Sequence, residues 1–181
     1  MNPIKLIDKY YDPGSRTHEI LLIHSEQVMR KALELAERVR HLNPDLTFVQ
    51  EAAMLHDMGI FLTYAPDIGC YGEHPYILHG PLGRDLLEKE GLPKHALVCE
   101  RHTGVGLSRK EIKRQNLLLP KRDMLPISIE EKIICLADCF YGKNPDKLGK
   151  EKSIEKIEKK ARAFGGENPK RLAEFRKLFR V

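Results

Sequence analysis

The 181-residue chain predicts an all-α protein, and three observations carry that prediction. Apolar residues recur with helical period along most of its length. Residues that start and stop helices punctuate those stretches. No segment alternates apolar and polar residues long enough to form a convincing strand. Hydrophobic residues make up 41% and charged residues 31%, the balance of a chain that buries a sizeable core. That composition excludes wholesale disorder and collagen-like or disulfide-dense architectures.

From Thr17 to about Arg40, the residues Leu21, Val28, Ala32, Leu35 and Val39 line one face, with Ser25 in the remaining stripe position. Asn43-Pro44 ends that helix. A second helix starts near Thr47, taken as its N-cap, and carries Phe48, Ala52, Ala53 and Leu55 up to Gly59. Pro66, Gly69, Gly72 and Pro75 make residues 63–77 a loop. A third helix runs from about His79 to Glu90 and stops at Gly91; Pro93 suits the first turn of a fourth that reaches about His102. Gly104, Gly106, Pro120 and Pro126 make residues 103–127 irregular, apart from a short helical piece after Ser108. Ser128-Ile129-Glu130-Glu131 has capping-box spacing and opens an apolar helix to about Tyr141. Helices near Ser153–Phe164 and Pro169–Phe179 complete a bundle of about seven.

The formal net charge of +5 is unevenly spread. Residues 147–181 hold 12 Lys or Arg against 5 Asp or Glu, leaving 19 against 21 in residues 1–146. The division suggests a main domain, 1–146, and a basic helical extension, 147–181, packed on it or flanking it. The extension alternates charge signs, the pattern of a solvated helix laced with i,i+4 pairs rather than of a nucleic-acid surface. No run approaches a membrane span, and the first ten residues include Asp8 where a secretory signal needs an apolar core. A cytoplasmic protein is expected. Cys70, Cys99, Cys135 and Cys139 form no Cys-x-x-Cys pair, so reduced, buried thiols are expected.

Eight histidines draw notice by their placement. His24 lies between Leu21 and Val28 on an apolar face, and His56-Asp57 closes the second helix. His79 starts the third helix and His102 ends the fourth. Asp138 falls inside the apolar run Ile133-Ile134-Cys135-Leu136-Ala137, one turn after Ile134. A carboxylate in such a run needs a cation, a dense set of donors or a metal. Imidazole and carboxylate donors from separate helices suit divalent Fe, Mn, Zn, Co or Ni, and bundle interiors are where such sites are built. Taken singly, each His is as well explained as a hydrogen-bonded core residue. His18, His41, His74 and His95 fit helix ends and loops, His74 being the strongest competitor for a ligand or substrate role.

The ordered set His24, His56-Asp57, His79, His102 and Asp138 resembles the HD-domain superfamily of metal-dependent phosphohydrolases, in its dinuclear branch. Leu55-His56-Asp57-Met58-Gly59 is similar to the His-Asp-Ile-Gly signature with Met for Ile, and Leu136-Ala137-Asp138 to the closing Asp. The resemblance implies that His24, His56, Asp57 and Asp138 hold one divalent ion, and Asp57, His79 and His102 a second, with Asp57 bridging and central to catalysis. Two such ions lower the pKa of a shared water towards neutrality and present hydroxide to phosphorus. The implied function is hydrolysis of a phosphate ester or anhydride, the substrate being a small phosphorylated molecule such as a nucleotide. His79-Gly80-Pro81-Leu82-Gly83 and Arg101-His102-Thr103 are similar to a bacterial branch that cleaves diadenosine polyphosphates. Several members place Lys directly after His-Asp-x-Gly, where this chain has Ile60; cyclic-dinucleotide cleavage of that kind is disfavoured. Candidate substrate contacts are Arg84, Arg101, Lys121 and Arg122, with Arg109 nearby, and the 103–127 segment is a candidate lid. Two alternatives stand beside hydrolysis: a diiron oxygenase of the same superfamily, and a non-enzymatic nucleotide- or nucleic-acid-binding module. A homodimer is compatible with the sequence.

Overall fold

A computed structural model describes all 181 residues. Nine α-helices run in the order α1 (Pro3–Tyr10), α2 (Arg16–Arg38), α3 (Leu46–Leu55), α4 (His79–Lys89), α5 (Pro93–Arg101), α6 (Arg109–Arg114), α7 (Ile129–Cys139), α8 (Ile154–Phe164) and α9 (Asn168–Phe179). The fold is all-α, as the helical periodicity implies. No helix is long and apolar enough to cross a membrane.

Local chemistry sets the helix ends. α3 is capped by Asp45, whose side chain accepts from the Phe48 amide at 2.9 Å. Thr47, expected as the cap, lies inside the helix, because an Asp in extended conformation one residue before the first helical turn supplies the better acceptor. Ser128 accepts from the Glu131 amide, but the Glu131 carboxylate turns to the Ile127 amide and to Arg101. The reciprocal capping box is formed instead by Ser108 and Glu111 at α6. Two features escaped the periodicity. Asn2 and Pro3 cap a short amphipathic helix, α1, and residues 63–75 fold into β1 (Thr63–Ala65), β2 (Cys70–Tyr71) and β3 (His74–Pro75). The strands order β2-β1-β3, antiparallel on one side and parallel on the other. Each is only two or three residues long, too short for a period of two to show in the sequence.

Two large apolar clusters fill most of the interior, beside a small third one of Leu107, Ile112, Leu119 and Met124. The larger joins Val28, Ala32 and Leu35 of α2 with Ile133, Ile134 and Leu136 of α7 and with Ile157, Leu172, Phe175 and Phe179 of α8 and α9. The basic extension is therefore amphipathic and shares this core rather than standing apart. The second cluster joins Leu6 and Ile7 of α1 with Leu21 of α2, Leu55 and Met58, and Leu87 and Cys99 of α4 and α5. α2 passes from one cluster to the other between Leu21 and Val28, and His24 lies at that changeover. α3 makes the same passage between Ala53 and Met54, just before His56 and Asp57. Polar side chains thus enter the interior along the seam between two apolar bodies.

Candidate metal centre

The seam delivers six donor side chains from five helices. His24 projects from the middle of α2; His56 is the C-cap of α3 and Asp57 follows it. His79 is the first residue of α4, His102 the C-cap of α5, and Asp138 lies in the last turn of α7. Apart from His24, each sits at a helix terminus, where chain direction changes and short side chains converge.

The donors fall into two groups sharing one residue: His24, His56, Asp57 and Asp138, and Asp57, His79 and His102. Asp57 Oδ2 lies 3.1 Å from His24 Nε2 and 3.0 Å from His56 Nε2. Its Oδ1 lies 3.5 Å from Nε2 of both His79 and His102. Asp138 Oδ1 completes the first group, 3.1 Å from His24 Nε2 and 3.6 Å from His56 Nε2. One carboxylate oxygen of Asp57 therefore faces each group, the disposition of a bridging ligand.

The donor chemistry fits divalent cations. Both Asp57 oxygens are shut off from solvent and, apart from the Lys143 ammonium at Oδ2, face imidazole nitrogens. His56, His79 and His102 donate Nδ1–H to the carbonyls of Ala53, Tyr76 and Cys99 at 2.7, 2.7 and 2.8 Å. A carbonyl only accepts, so Nδ1 carries the hydrogen in all three rings and Nε2 is the atom left to face Asp57 as a donor. The Nε2 atoms of His24 and His56 stand 3.2 Å apart, and those of His79 and His102 3.1 Å apart. Nitrogen donors brought this close beside a shared carboxylate are arranged to take a cation between them.

The electrostatics agree. Burial resists charging His56, but the carboxylates of Asp57 and Asp138 overcome it and raise its pKa to about 10. Burial likewise resists ionisation of Asp57, yet the Lys143 ammonium and His56 hold its carboxyl well below the usual range. His79, where burial dominates, falls to about 4 and stays a neutral imidazole.

Packing around the pair Asp57-Met58 keeps these atoms in place. Tyr11 donates its hydroxyl to the Met58 carbonyl at 2.8 Å, and Cys99 its thiol to the His56 carbonyl at 2.9 Å. A Cβ on Gly59 would stand 2.2 Å from the His79 carbonyl oxygen, so this glycine permits the close approach of the His-Asp turn to α4. Tyr76 stacks on the His79 ring with centroids 4.8 Å apart.

The cluster opens into a cavity of about 390 Å³ whose wall includes His79, His102 and Asp138. Its cations are Lys143, Lys152 and Lys160. Lys143 pairs directly with Asp57 Oδ2, and burial notwithstanding, the carboxylate raises its pKa. None of the arginines and lysines expected to contact substrate lines this cavity. Arg84 is held by Glu88 and Glu100, Arg101 by both oxygens of Glu131, and Arg122 by Glu100. Lys121 and Arg109 are solvent-exposed. Three of these side chains were drawn away by carboxylates distant in sequence, which position along the chain does not reveal. Ile60 is buried in the apolar core, and the cation beside Asp57 is Lys143. Lys143 was not singled out in the sequence; the one local signal that could have found it is its place five residues beyond Asp138. His18 pairs with Asp8, His95 approaches Glu51, and His74 is exposed on β3. The four cysteines are free thiols, three buried and Cys139 partly so.

Residues 21–141 match the HD domain family. An uncharacterized protein of Methanocaldococcus jannaschii is 34% identical over 123 residues, covering 66% of this chain and 65% of its own. A tRNA (cytidine(56)-2′-O)-methyltransferase of Picrophilus torridus is 31% identical over 121 residues, covering 66% of this chain but 31% of its own. The match thus spans less than two thirds of the length of either relative. No solved structure gives a significant match. With the family match running from Leu21 to Tyr141 and enclosing all six donors, the chain belongs to the HD-domain family.

Proposed function

We propose that this protein is a phosphohydrolase working on a small phosphorylated substrate, with the six donors holding two divalent ions. The observation that carries this reading is the division of Asp57 between two donor groups, three of whose members, His79, His102 and Asp138, line a cavity that also holds three lysines. A pair of divalent ions held a few ångströms apart supplies an activated water and neutralises charge that grows on phosphoryl oxygens. The chain's own residues would do the rest. His24, His56 and Asp138 hold one end of the site and His79 and His102 the other, with Asp57 fixing the separation. The Nδ1–H donations to backbone carbonyls lock the orientation of three imidazoles, so little reorganisation accompanies binding. Lys143, beside Asp57, is placed to meet a phosphoryl oxygen and hold it as a compact point charge. No side-chain nucleophile is required, which accords with the absence of an activated Ser or Cys in the cavity; burial pushes the Cys139 thiol up to about 12.

The test is phosphate release from a panel of phosphate esters and anhydrides by the purified chain supplied with Mn²⁺, Co²⁺ or Fe²⁺ under anaerobic conditions. Turnover that disappears in Asp57→Ala supports the reading. Oxygen consumption by iron-loaded protein without phosphate release would reassign the site to oxidative chemistry.

A further inference from the structure

The family match ends at Tyr141, yet more than half of the cavity wall comes from residues 142–172. These belong to the segment after α7 and to the α8–α9 hairpin. The hairpin presents Ile157, Ala161, Phe164 and Leu172 to the cavity, an apolar surface facing His79, His102 and Asp138. It also sets Lys160 into the wall, and the segment before α8 adds Lys152.

The hairpin is latched to the segment that follows His102. Arg171 donates to the carbonyls of Val105 (3.2 Å) and Gly106 (2.9 Å) and to both oxygens of the buried Glu111 (2.9 and 2.7 Å). Asn168 adds a 3.4 Å bond to the Gly106 carbonyl. The roof of the cavity is thereby tied to the segment that leaves donor helix α5 and to α6.

Lys152 and Lys160 make no ion pair with any carboxylate. Lys152 donates to the carbonyls of Cys139 and Tyr141, at the end of α7. Burial, with repulsion from Lys160 and Lys143, holds its pKa below the ordinary lysine value. Lys160 is exposed at the rim. Unpaired cations grouped beside an apolar wall suit an anion joined to one organic group. At about 390 Å³ the cavity stands near the lower end of the roughly 300–1,000 Å³ usual for small-ligand sites.

We propose that the α8–α9 hairpin is a specificity roof that selects phosphomonoesters with a single organic group of nucleoside size. Dinucleoside polyphosphates and nucleic-acid ends are excluded by the same roof. In this arrangement the phosphate meets Lys143 at the floor, Lys152 and Lys160 draw it in, and the nucleoside rests on Phe164, Ile157 and Leu172. The proposal rests on the phosphohydrolase reading but is separable from it by binding.

The test uses the full, metal-loaded chain and adenosine 5′-monophosphate as probe, with binding measured by calorimetry and turnover by phosphate release. Diadenosine tetraphosphate, a 5′-phosphorylated oligonucleotide and p-nitrophenyl phosphate serve as comparators. Adenosine monophosphate is expected to bind at least about tenfold more tightly than the two large comparators. Phe164→Ala should weaken its binding about tenfold, a larger loss than it causes for p-nitrophenyl phosphate. Lys160→Glu, at an exposed position that does not threaten folding, should weaken it by a similar factor and flatten its salt dependence. Equal or tighter binding of the large comparators, or unchanged affinity in both variants, would overturn the specificity roof. Selective binding without turnover of any ester would keep the roof and overturn the phosphohydrolase reading.

Discussion

His79 and His102 meet through Nε2 atoms 3.1 Å apart, although each ring has already given its Nδ1 hydrogen to a backbone carbonyl one turn earlier. Two lone pairs so placed repel unless a cation takes both, and Asp57 Oδ1 supplies the third donor at 3.5 Å from each. The same carboxylate serves the opposite group through Oδ2.

Metal content should follow this division. Parent protein is expected to retain about two divalent ions per chain, His102→Ala about one, and Asp57→Ala close to none, because ligand loss removes only the ion it serves. Mass spectrometry of metals after gel filtration checks this. Equal metal loss in His102→Ala and Asp57→Ala would contradict a bridging Asp57.

Gly59→Ala places a methyl carbon 2.2 Å from the His79 carbonyl oxygen and 2.4 Å from the Gly83 amide nitrogen. Both atoms are backbone, so the His-Asp turn and α4 must separate. A cost of about 1–3 kcal/mol is expected for such overpacking. At roughly 2–4 °C per kcal/mol for a chain of this size, the thermal midpoint should fall by several degrees. Metal analysis should show the ion at His79 and His102 lost before the other. An unchanged melt would mean that the turn yields without disturbing α4.

Arg171→Ala removes the partner of Glu111, whose side chain is only 3% exposed, and frees the Val105 and Gly106 carbonyls. Breaking a buried pair on one side costs about 3–5 kcal/mol, and the 16% exposure of Arg171 argues for the lower end. Hydrogen exchange should quicken at the amides of residues 104–107 and in α9. Faster exchange confined to α9 would show that the loop holds its shape without the latch.

Glu111 also gives the latch a pH dependence. Burial opposes its ionisation, but the Ser108 amide and hydroxyl and the Arg171 guanidinium prevail and hold its pKa below the ordinary 4.5. A carboxyl with a depressed folded-state pKa stabilises the fold above its unfolded value, and that stability drains away as pH falls through the folded one. The urea midpoint of the parent protein should therefore exceed that of Glu111→Gln most at neutral pH, and the gap should close below 4.5. A gap that stays constant with pH would assign the contribution of Glu111 to packing.

The helices and the donors differ from the rest of the site in how far their causes reach along the chain. Leu21, Val28, Ala32 and Leu35 mark α2 because each repeats within a turn or two, and Asp138 stands out because its nearest neighbours are apolar. α1 and the strands of residues 63–75 are too short to establish a period. Arg84, Arg101 and Arg122 resembled free cations because Glu100 and Glu131 reach them across the fold.

Neighbours along the chain made the helices legible, and the ordered resemblance to the HD-domain superfamily singled out His24, His56, Asp57, His79, His102 and Asp138 as candidate donors. Periodicity, caps and a polar residue in an apolar run are properties of neighbours along the backbone. Only the tertiary structure decided how Asp57 divides its oxygens, which lysines face the cavity, and that the basic C-terminal hairpin roofs it. Those outcomes depend on which surfaces two apolar clusters bring together, and charges are neutralised by whatever lies nearest in space.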